Sequence, residues 1–336
     1  MTDGAWEISP TCPTGWPELL ERCGGGLFHS PPGLALGAPR GTALFARYCS
    51  PDGTVGLAAG VRSRCRLTFQ PRHVYLPTLP VVPGDGDAAL HVLAELFRDD
   101  GAVELVIDAF DARWAPGVLD GAQPTRERHE YVVALDAGLE ELASRFTRHH
   151  RRSLRRGLRG NWSLRTHHGR EARDLLRVVQ HSAAQRAAER RDPLMVDPPP
   201  AAGTLGADPR WGAATIAAWD RDRLLAAALV GWANRRAFFM RGGSTPAGYQ
   251  ANAAVWLHWR IMGELHARGF TAYNLGGAPA TAARPEDPAH GIHRFKRDFG
   301  AQLRPCRGLR WTMSPAHERA HRAARGAVAH AVRAVP

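Results

Sequence analysis

Lys296 stands out first because it is the only lysine of the chain. Of the 44 Lys and Arg residues, the other 43 are arginine. This skew, together with abundant Ala, Gly and Pro, indicates a biased codon composition. A lysine that is retained under such a bias is a candidate for a task that arginine does not perform, since an ammonium is a compact point charge with an adjustable pKa. Lys296 is therefore a candidate functional residue; the alternative is a surface lysine left by chance.

The spacing around Lys296 indicates how it could act. On a predicted helix over residues 291–299, Ile292, Phe295 and Phe299 recur at i, i+3 and i+7 and form an apolar stripe. Lys296 lies at the edge of this stripe, so it can reach from a packed base into a cleft and stabilise an oxyanion or contact a ribose or phosphate. The sequence contains no Ser-His-Asp or Cys-His motif, so no nucleophilic side chain is predicted. No general base is identifiable.

A second feature is the basic run between residues 145 and 173. It holds ten Arg and one acid, Glu171, so it contributes 10 − 1 = +9 of the net charge of +12. Such a density favours contacts with nucleic-acid phosphates, which depend on shape and charge more than on sequence. The alternative is a solvated basic face. The arginines predicted to bind phosphates are Arg148, Arg151, Arg152, Arg155 and Arg156.

Composition excludes several other classes. A pI of about 10.5 favours a polyanionic partner. No apolar run is long enough for a transmembrane helix, and the N-terminus has no signal-peptide pattern. The five scattered cysteines are typical of reduced thiols, so a cytoplasmic protein is expected. Neither Cys-x-x-Cys nor His-Glu-x-x-His occurs, so no metal site and no cofactor are predicted. The run Gly24–Gly26 lacks the rest of a Walker A motif and is interpreted as a loop.

The elements that must position these residues form a mixed α/β pattern. The order of the second half is strand, strand, strand, loop, helix, strand, which is the order of a GNAT acyltransferase core; there, a helix N-terminus holds the acyl donor's phosphates. One amphipathic helix is predicted over Leu139–Leu158, and a polar loop over Gly242–Gln250. The remaining predicted strands of this half are Trp162–His167, Ala213–Trp219, Leu224–Trp232, Arg236–Arg241 and Phe270–Leu275.

Several segments resemble the Fem family of aminoacyltransferases and its FemAB-like GNAT relatives. The most specific is Gly291–Gly300 (GIHRFKRDFG), which resembles the family's Phe-Lys-x-x-Phe-Gly signature and contains Lys296. The others follow in family order: Trp16–Leu20, Phe28–Pro31, Leu142–Gly160 (the basic inter-domain helix), Phe238–Ser244, Trp256–Trp259 and Gly269–Gly277.

The resemblance implies two tandem GNAT-like domains and transfer of an aminoacyl group from aminoacyl-tRNA to an amine. It links Lys296 to catalysis and Phe295 to the substrate channel. On this basis the domains are expected at residues 1–138 and 139–314, followed by a basic helical tail at 315–336. The protein is expected to be a monomer that binds aminoacyl-tRNA and an amine acceptor without inserting into a membrane.

Other residues of the second domain are weaker candidates for substrate binding. Arg241 ends a strand and is either a salt-bridge partner between domains or a substrate contact. Tyr249 and Asn252 lie at a loop-to-helix junction, where Asn252 either caps the helix or faces the donor with Tyr249. Asn274 precedes Gly276-Gly277 and either contacts substrate or belongs to a bulge or turn.

Two features bear on the reaction. The first domain has no lysine where the family's peptidoglycan-bridge members place basic residues on their precursor's phosphates. A small-molecule or peptide product, as in antibiotic biosynthesis, is therefore favoured over a cell-wall precursor. The loop at residues 244–251 lacks the Arg/Gln-x-x-Gly-x-Gly/Ala pattern of acyl-CoA users, which favours tRNA over CoA. An acyl-CoA-dependent acyltransferase and a non-catalytic RNA-binding module remain the alternatives.

Overall fold

The computed structural model describes residues 4–38, 41–64, 72–189 and 210–314, together with residue 316. The predicted loop through Pro198–Pro209 and nearly all of the predicted tail at 315–336 lie outside these residues. The described chain divides into two compact units, one formed by residues 1–127 with 306–336 and the other by residues 128–305. The domain limits predicted from the sequence remain a proposal.

The first unit contains one antiparallel run of strands that ends in a parallel pair. Its strands are β1 (Ala5–Ser9), β2 (Thr42–Cys49), β3 (Val55–Arg64), β4 (Arg72–Leu76) and β5 (Ala102–Ile107), and its helices are α1 (Trp16–Cys23), α2 (Pro31–Gly37) and α3 (Gly86–Asp99). The order is β1-β2-β3-β4-β5, and only β4 and β5 are parallel. Helix α3 connects β4 to β5 and packs its apolar face on a core with Leu105, Ile107 and Trp311.

The second unit repeats this arrangement. Its strands are β6 (Ala122–Ala134), β7 (Trp162–His167), β8 (Trp211–Asp220), β9 (Arg223–Ala233), β10 (Arg236–Ser244) and β11 (Ala272–Pro279); its helices are α4 (Leu139–Ser144), α5 (Arg148–Arg159), α6 (Gly169–Glu189), α7 (Pro246–Ala251), α8 (Ala253–Ala267) and α9 (His290–Arg297). The strand order is β6-β11-β10-β9-β8-β7, and β10–β11 is the parallel pair. The unit boundaries fall within β6 and within β12 (Gln302–Thr312).

The parallel pair of the second unit opens along its length. Strands β10 and β11 are in register from Arg236 opposite Ala272 to Phe238 opposite Asn274. Beyond that point β10 continues beside β9, and β11 continues beside β6 across a bulge between Asn274 and Gly277. The strands therefore diverge and leave a gap at their carboxyl ends, which is where ligands bind in sheets of this kind.

The basic helix is shorter than the sequence predicts. The single helix predicted over Leu139–Leu158 is wrong, because two helices, α4 and α5, separate at Arg145–Thr147. The Thr147 side chain caps α5 by accepting a hydrogen bond from the backbone N–H of His150. The backbone N–H of Thr147 donates to the carbonyl of Asp298 at 3.0 Å. This long-range hydrogen bond is invisible in the apolar periodicity on which the prediction rested.

Two predictions for the region after β10 are also wrong. Residues 242–250 are not one polar loop, since β10 runs to Ser244 and α7 begins at Pro246, capped by the Thr245 hydroxyl. Strand β11 does not stop at Gly276-Gly277 but continues to Pro279. The backbone at residues 242–244 stays paired with β9, and the backbone at residues 277–279 stays paired with β6. A glycine-rich sequence, by contrast, favours a turn.

Candidate active site

Lys296 lies at the gap between β10 and β11. It is buried on α9, with 8% of its surface exposed. Its Nζ donates a hydrogen bond to the backbone carbonyl of Gly277 at 2.8 Å and lies 5.8 Å from the ring centre of Tyr131. An ammonium has three donors, and the bond to Gly277 uses one of them. The lysine is thus not a chance surface residue.

The bulge in β11 makes room for this ammonium. Gly276 adopts a left-handed φ of +74°, which favours glycine. A Cβ at this position would lie 3.2 Å from the carbonyl oxygen of Phe239 and 3.5 Å from Lys296 Nζ. The backbone N–H of Gly276 donates to the side-chain oxygen of Asn274 at 2.9 Å. The bulge that the sequence allows for at Asn274 is therefore present, and it turns the Gly277 carbonyl toward the lysine.

Burial makes the lysine a weaker base than it is in water. Desolvation lowers the pKa of Lys296 to about 8, and the nearby carboxylate of Glu130 opposes this effect. A group with this pKa is mostly protonated at neutral pH and can exchange its proton near the working pH of an enzyme. At neutral pH the site therefore holds a buried cation.

An aromatic wall surrounds the base of the lysine side chain. The Phe295 ring lies 5.4 Å from the ring of His150, 5.8 Å from that of His258 and 5.2 Å from that of Phe299. Burial, then the charge of Lys296 and then that of His150, lower the pKa of His258 to about 3. His258 is thus neutral, and its Nδ1 is hydrogen-bonded to the hydroxyl of Tyr273 at 3.0 Å. This wall excludes water on one side of the ammonium.

Helix α5 is bound directly to the helix that carries the lysine. His150 donates from Nε2 to the carbonyl of Phe295 at 3.0 Å, and burial lowers its pKa to about 4, so it is neutral. At the other end of the helix, a Cβ on Gly157 would lie 2.8 Å from Trp256 of α8. The close approach at Gly157 and the buried hydrogen bond of His150 fix the orientation of α5 on the second unit.

The opposite face of α5 is a stripe of exposed arginines. Arg148, Arg152, Arg155 and Arg159 are exposed and recur at i, i+4, i+7 and i+11, so they share one face over about 16 Å. Helix α5 contains no acidic residue. Among the residues that the structure describes, no carboxylate pairs with any of these four side chains. We call this set the arginine stripe.

The other two predicted phosphate ligands differ from the stripe. Arg151 is half-buried, and one guanidinium nitrogen donates to the carbonyls of Ser144 at 2.8 Å and Phe146 at 2.9 Å. It therefore stabilises the junction between α4 and α5. Arg156 is exposed and donates to the carbonyl of Gln250 in α7 at 3.5 Å. Both assignments remain predictions, and Arg151 is the one for which the structure offers a purely structural role.

The remaining predicted substrate residues lie on different elements of the second unit. Arg241 follows the bulge in β10 and is in register with Leu229. The guanidinium carbon of Arg186 lies 4.4 Å from the ring centre of Tyr249 on α7. Asn252 links α7 to α8 with a left-handed φ of +54° and makes no side-chain capping hydrogen bond. Asn274 is buried and bonds within the protein, as described above.

The sequence did not single out three residues at this site. Glu130 and Tyr131 reach it from β6, and His258 reaches it from α8. Tyr131 is fully buried; burial raises its pKa to about 12, and its hydroxyl is hydrogen-bonded to Nδ1 of His293 at 2.8 Å. The only sequence signal for Glu130 is an acidic residue directly before the apolar run 131–135, which suits a buried strand poorly.

No group of His, Cys, Asp or Glu in the described ranges is arranged to hold a metal ion. Within the same ranges, none of the helices combines the length and the apolar composition of a membrane span.

These features define an acyltransferase fold of the GNAT type. Residues 144–297 match the family model described as "Acetyltransferase (GNAT) domain". This range contains the opening strand pair, the bulge and Lys296, whereas Glu130 and Tyr131 of β6 lie outside it. No curated protein matches the chain in sequence.

More particularly, the fold is Fem-like. The structure of FemX superposes with a TM-score of 0.57 at 14% identity, covering 79% of this chain and 87% of that one. L-PGS from Bacillus licheniformis gives a TM-score of 0.53 at 14% identity, with coverage of 91% and 94%. At these identities the likeness concerns the fold alone. The mixed α/β class and the Fem-like GNAT fold that the sequence predicts are thereby confirmed.

Proposed function

We propose that the protein is an aminoacyltransferase that moves an aminoacyl group from aminoacyl-tRNA to an amine and forms an amide bond. The observation that carries the proposal is the direct link between the arginine stripe and the lysine. Helix α5 presents the stripe to solvent and is hydrogen-bonded through His150 to Phe295, the residue beside Lys296. A polyanion bound along the stripe is therefore held at a fixed distance from the ammonium.

The geometry of the stripe suits a nucleic-acid strand. Successive members rise by about 4.5 or 6 Å along the helix, which is comparable to the spacing of phosphates along one strand. A small anionic cofactor such as CoA would occupy only one end of such a row. Arg156 and the guanidinium of Arg186 over Tyr249 add positive charge near α7.

The chemical step uses Lys296 as an electrostatic stabiliser. The neutral amine of the acceptor attacks the carbonyl carbon of the aminoacyl ester, so a C–N bond forms and the carbonyl oxygen becomes negative. The ammonium of Lys296 lies at the strand gap where this oxyanion would be held. The tetrahedral intermediate then collapses: the C–O bond to the ribose breaks, and the proton lost by the amine ends on the released ribose hydroxyl. A small-molecule or peptide amine is the proposed acceptor, with a cell-wall precursor as the alternative.

The test is a transfer assay with a mixture of tRNAs charged with all amino acids and a bacterial metabolite extract, followed by mass spectrometry of new amides. New amides should form, should vanish after RNase treatment and should not return with acetyl-CoA. Turnover with acetyl-CoA alone would establish the acyl-CoA-dependent alternative instead.

The arginine stripe offers a second, independent arm of this test. Replacing Arg148, Arg152 and Arg155 by Gln should weaken tRNA binding and reduce the slope of log Kd against log salt by about 2 to 3, since each phosphate contact contributes about 0.7–0.9. The matched control replaces Arg170 and Arg177, two exposed arginines of α6 that pair with Asp174 at 3.8 and 3.6 Å. An unchanged slope in the triple variant would show that the stripe is only a solvated face.

A non-catalytic RNA-binding module is the remaining candidate. It would retain the salt-dependent binding but would give no amide product and no effect of Lys296 substitutions. The burial of Lys296 at the opening of the strand pair favours the enzyme, because a binding surface has no need for a desolvated ammonium.

A further inference from the structure

Glu130 is a buried carboxylate next to Lys296 that the transfer step described above does not use. It is 1% exposed and lies on β6, where its Cα is paired with that of Gly277 across the strand boundary. Its Oε2 accepts a hydrogen bond from the side-chain nitrogen of Asn274 at 2.8 Å. Burying a carboxylate is costly unless nearby groups compensate its charge. The glycine bulge connects Glu130 to one such group, the ammonium of Lys296.

A chain of hydrogen bonds leads from this carboxylate to the lysine. Asn274 bonds Glu130 with its nitrogen and accepts from the backbone N–H of Gly276 with its oxygen at 2.9 Å. The next residue, Gly277, offers its carbonyl to Lys296 Nζ at 2.8 Å. The orientation of the carbonyl that receives the ammonium is thus set by a bulge that Asn274 holds, and Glu130 holds Asn274.

We propose that Glu130 is a positioning residue for Lys296: through Asn274 it fixes the bulge that receives the ammonium, and its negative charge keeps that ammonium protonated during transfer. The catalytic consequence rests on the proposed function, in which the cation stabilises the oxyanion. The effect on the protonation of Lys296 does not depend on that function.

Glu130 is the carboxylate that acts on Lys296 from the elements packed around it. Among the described residues, the other titratable or charged groups around the lysine and its partners are neutral or cationic, with the exception of Asp298. Arg128 of β6 lies 3.8 Å from Oε1 of Glu130, and Tyr131 keeps its proton because burial raises its pKa to about 12. His258 of α8 and His150 of α5 are neutral at pH 7, since burial lowers their pKa values to about 3 and about 4. His293 of α9 bonds Tyr131, and burial likewise lowers its pKa. The Oδ2 atom of Asp298 lies 4.0 Å from Nδ1 of His150, and Glu130 is the carboxylate whose charge acts on Lys296.

The variant Glu130→Gln tests this role, because it removes the charge of the side chain and keeps its shape. In Glu130→Gln the amide oxygen can still accept from Asn274, but the opposing effect on the lysine is lost. The pKa of Lys296 should fall from about 8 by about one unit or more, the usual size of a nearby opposite charge. In Glu130→Asp the carboxylate withdraws by one methylene, so the pKa should fall by a smaller amount.

The unique lysine makes this measurement direct. Protein labelled with [ε-¹³C]lysine contains one labelled residue, and the NMR shift of that carbon reports its titration without any assay of activity. Lys296→Met should give no lysine signal, which assigns the resonance. Glu127→Gln removes an exposed carboxylate from the same strand, one that pairs with Arg307 at 2.9 Å, and should leave the titration midpoint unchanged.

The single-turnover rate provides the second readout. If Lys296 acts as a cation, its alkaline limb should move to lower pH in Glu130→Gln by the same amount as the NMR midpoint. A folded Glu130→Gln variant with the parent's midpoint would overturn the inference, as would an unshifted midpoint in Glu130→Asp if the Gln variant does not fold. A shifted midpoint in a protein that transfers no aminoacyl group would instead support the role of Glu130 and refute the proposed function.

Discussion

The two units build the same parallel strand pair and finish it differently. In the first unit β4 and β5 remain joined beyond their last ladder pair, because the backbone N–H groups of Asp108 and Phe110 donate to the carbonyls of Leu76 and Pro77 at 3.0 and 2.8 Å. In the second unit the register of β10 and β11 ends at Phe238 and Asn274. One pair is closed by hydrogen bonds, and the other opens around Lys296.

The helix that follows β4 in the first unit and the helix that follows β10 in the second unit also differ. Helix α3 of the first unit is capped by the carboxylate of Asp85 and has Asp87 in its first turn. These charges occupy the place where the positive end of a helix would attract an anion. Helix α7 of the second unit is capped by the neutral Thr245 and has no acidic residue in its first turn. An anionic acyl donor is therefore expected at the second unit and not at the first.

On the proposed function, the shared strand order does not by itself provide a transfer site. The strand order, the parallel pair and the crossing helix are common to both units. The added features of the second unit are few: a bulge with a left-handed glycine, a neutral helix cap and one buried lysine. Each of them can be removed separately, and the four predictions that follow are arranged from the largest expected effect to the smallest.

The largest effect is expected for Lys296→Met. If the ammonium stabilises the oxyanion, the single-turnover rate with saturating charged tRNA should fall by roughly 10²–10³, the usual loss for one preorganised donor. Binding of charged tRNA should change little, because the contact forms in the transition state. Lys296→Arg should also be impaired, since a planar fork does not fit a site for a point charge.

The matched control for Lys296→Met is Arg294→Met, which removes an exposed cation from the same helix. It should leave the rate within about twofold of the parent. If both variants lose rate equally, or if Lys296→Met keeps the parent's rate constant, the site of the second unit is not catalytic and the contrast with the first unit has no functional meaning.

The second prediction concerns the stability of the same variant. The pKa of Lys296 is lowered from 10.5 to about 8 in the folded protein. Below pH 8 both states are protonated, so folding carries the full cost of burying the cation. Between pH 8 and 10.5 only the unfolded state keeps the proton, so the stability of the parent rises with pH.

Lys296→Met removes this cost and also the hydrogen bond to Gly277. The net gain at pH 7 should be about 2 kcal/mol in the free energy of unfolding, and it should disappear as the pH approaches 10.5. Urea denaturation of both proteins at pH 7, 8.5 and 10 measures the difference. A Met variant that is less stable than the parent at pH 7 would mean that the lysine is not desolvated at a cost.

The third prediction compares two left-handed glycines. Gly276→Ala strains a φ of +74° and places a Cβ 3.2 Å from the Phe239 carbonyl, so it should cost about 1–2 kcal/mol of stability and lower the transfer rate about tenfold by moving Gly277. Gly101→Ala in the turn before β5 strains a φ of +77°, but no atom lies within 4 Å of the added Cβ. It should cost about 1 kcal/mol with no loss of rate. Equal loss of rate in the two variants would contradict the assignment of the site to the second unit.

Much of this contrast was accessible from the sequence, and the reasons differ between residues. Composition marked Lys296 as a candidate, since it is the single lysine beside 43 arginines, and the resemblance to the Phe-Lys-x-x-Phe-Gly signature linked it to catalysis. The strand Trp162–His167 has the predicted limits, because its start is marked by the local signal Gly160-Asn161. The amphipathic face of α5 also follows from local spacing.

The features that the sequence did not reveal depend on long-range contacts. The break between α4 and α5 is stabilised by the bond from Thr147 to Asp298, and the continuation of β11 through Gly276-Gly277 depends on its pairing with β6. Glu130 was not singled out from the sequence, and its role depends on its contacts with Asn274 and Arg128, which lie in the folded site. Strands β1 and β12 were not predicted, and both are defined by pairing with partners far along the chain.

The smallest effect is expected at the helix caps. Both caps use a side-chain oxygen that accepts a backbone hydrogen bond, but only the cap of α7 lies beside the open strand pair. Asp85 caps α3 by accepting from the N–H of Ala88 at 3.0 Å, and Thr245 caps α7 by accepting from the N–H of Gly248 at 3.2 Å. Replacing either by Ala should cost about 1 kcal/mol of stability, seen as a fall in Tm of a few degrees. Asp85→Asn and Thr245→Ser keep a capping oxygen and should stay close to the parent in stability.

The transfer rate should separate the two caps. Helix α7 follows β10 at the open strand pair, so loss of its cap in Thr245→Ala should lower the single-turnover rate about threefold, and Thr245→Ser should restore it. Asp85→Ala destabilises a helix beside the closed pair and should leave the rate at the parent's value in protein that is still folded at the assay temperature. A loss of rate in Asp85→Ala that Asp85→Asn restores would place α3 in donor binding, and the first unit would then be a second working site despite its hydrogen-bonded strands.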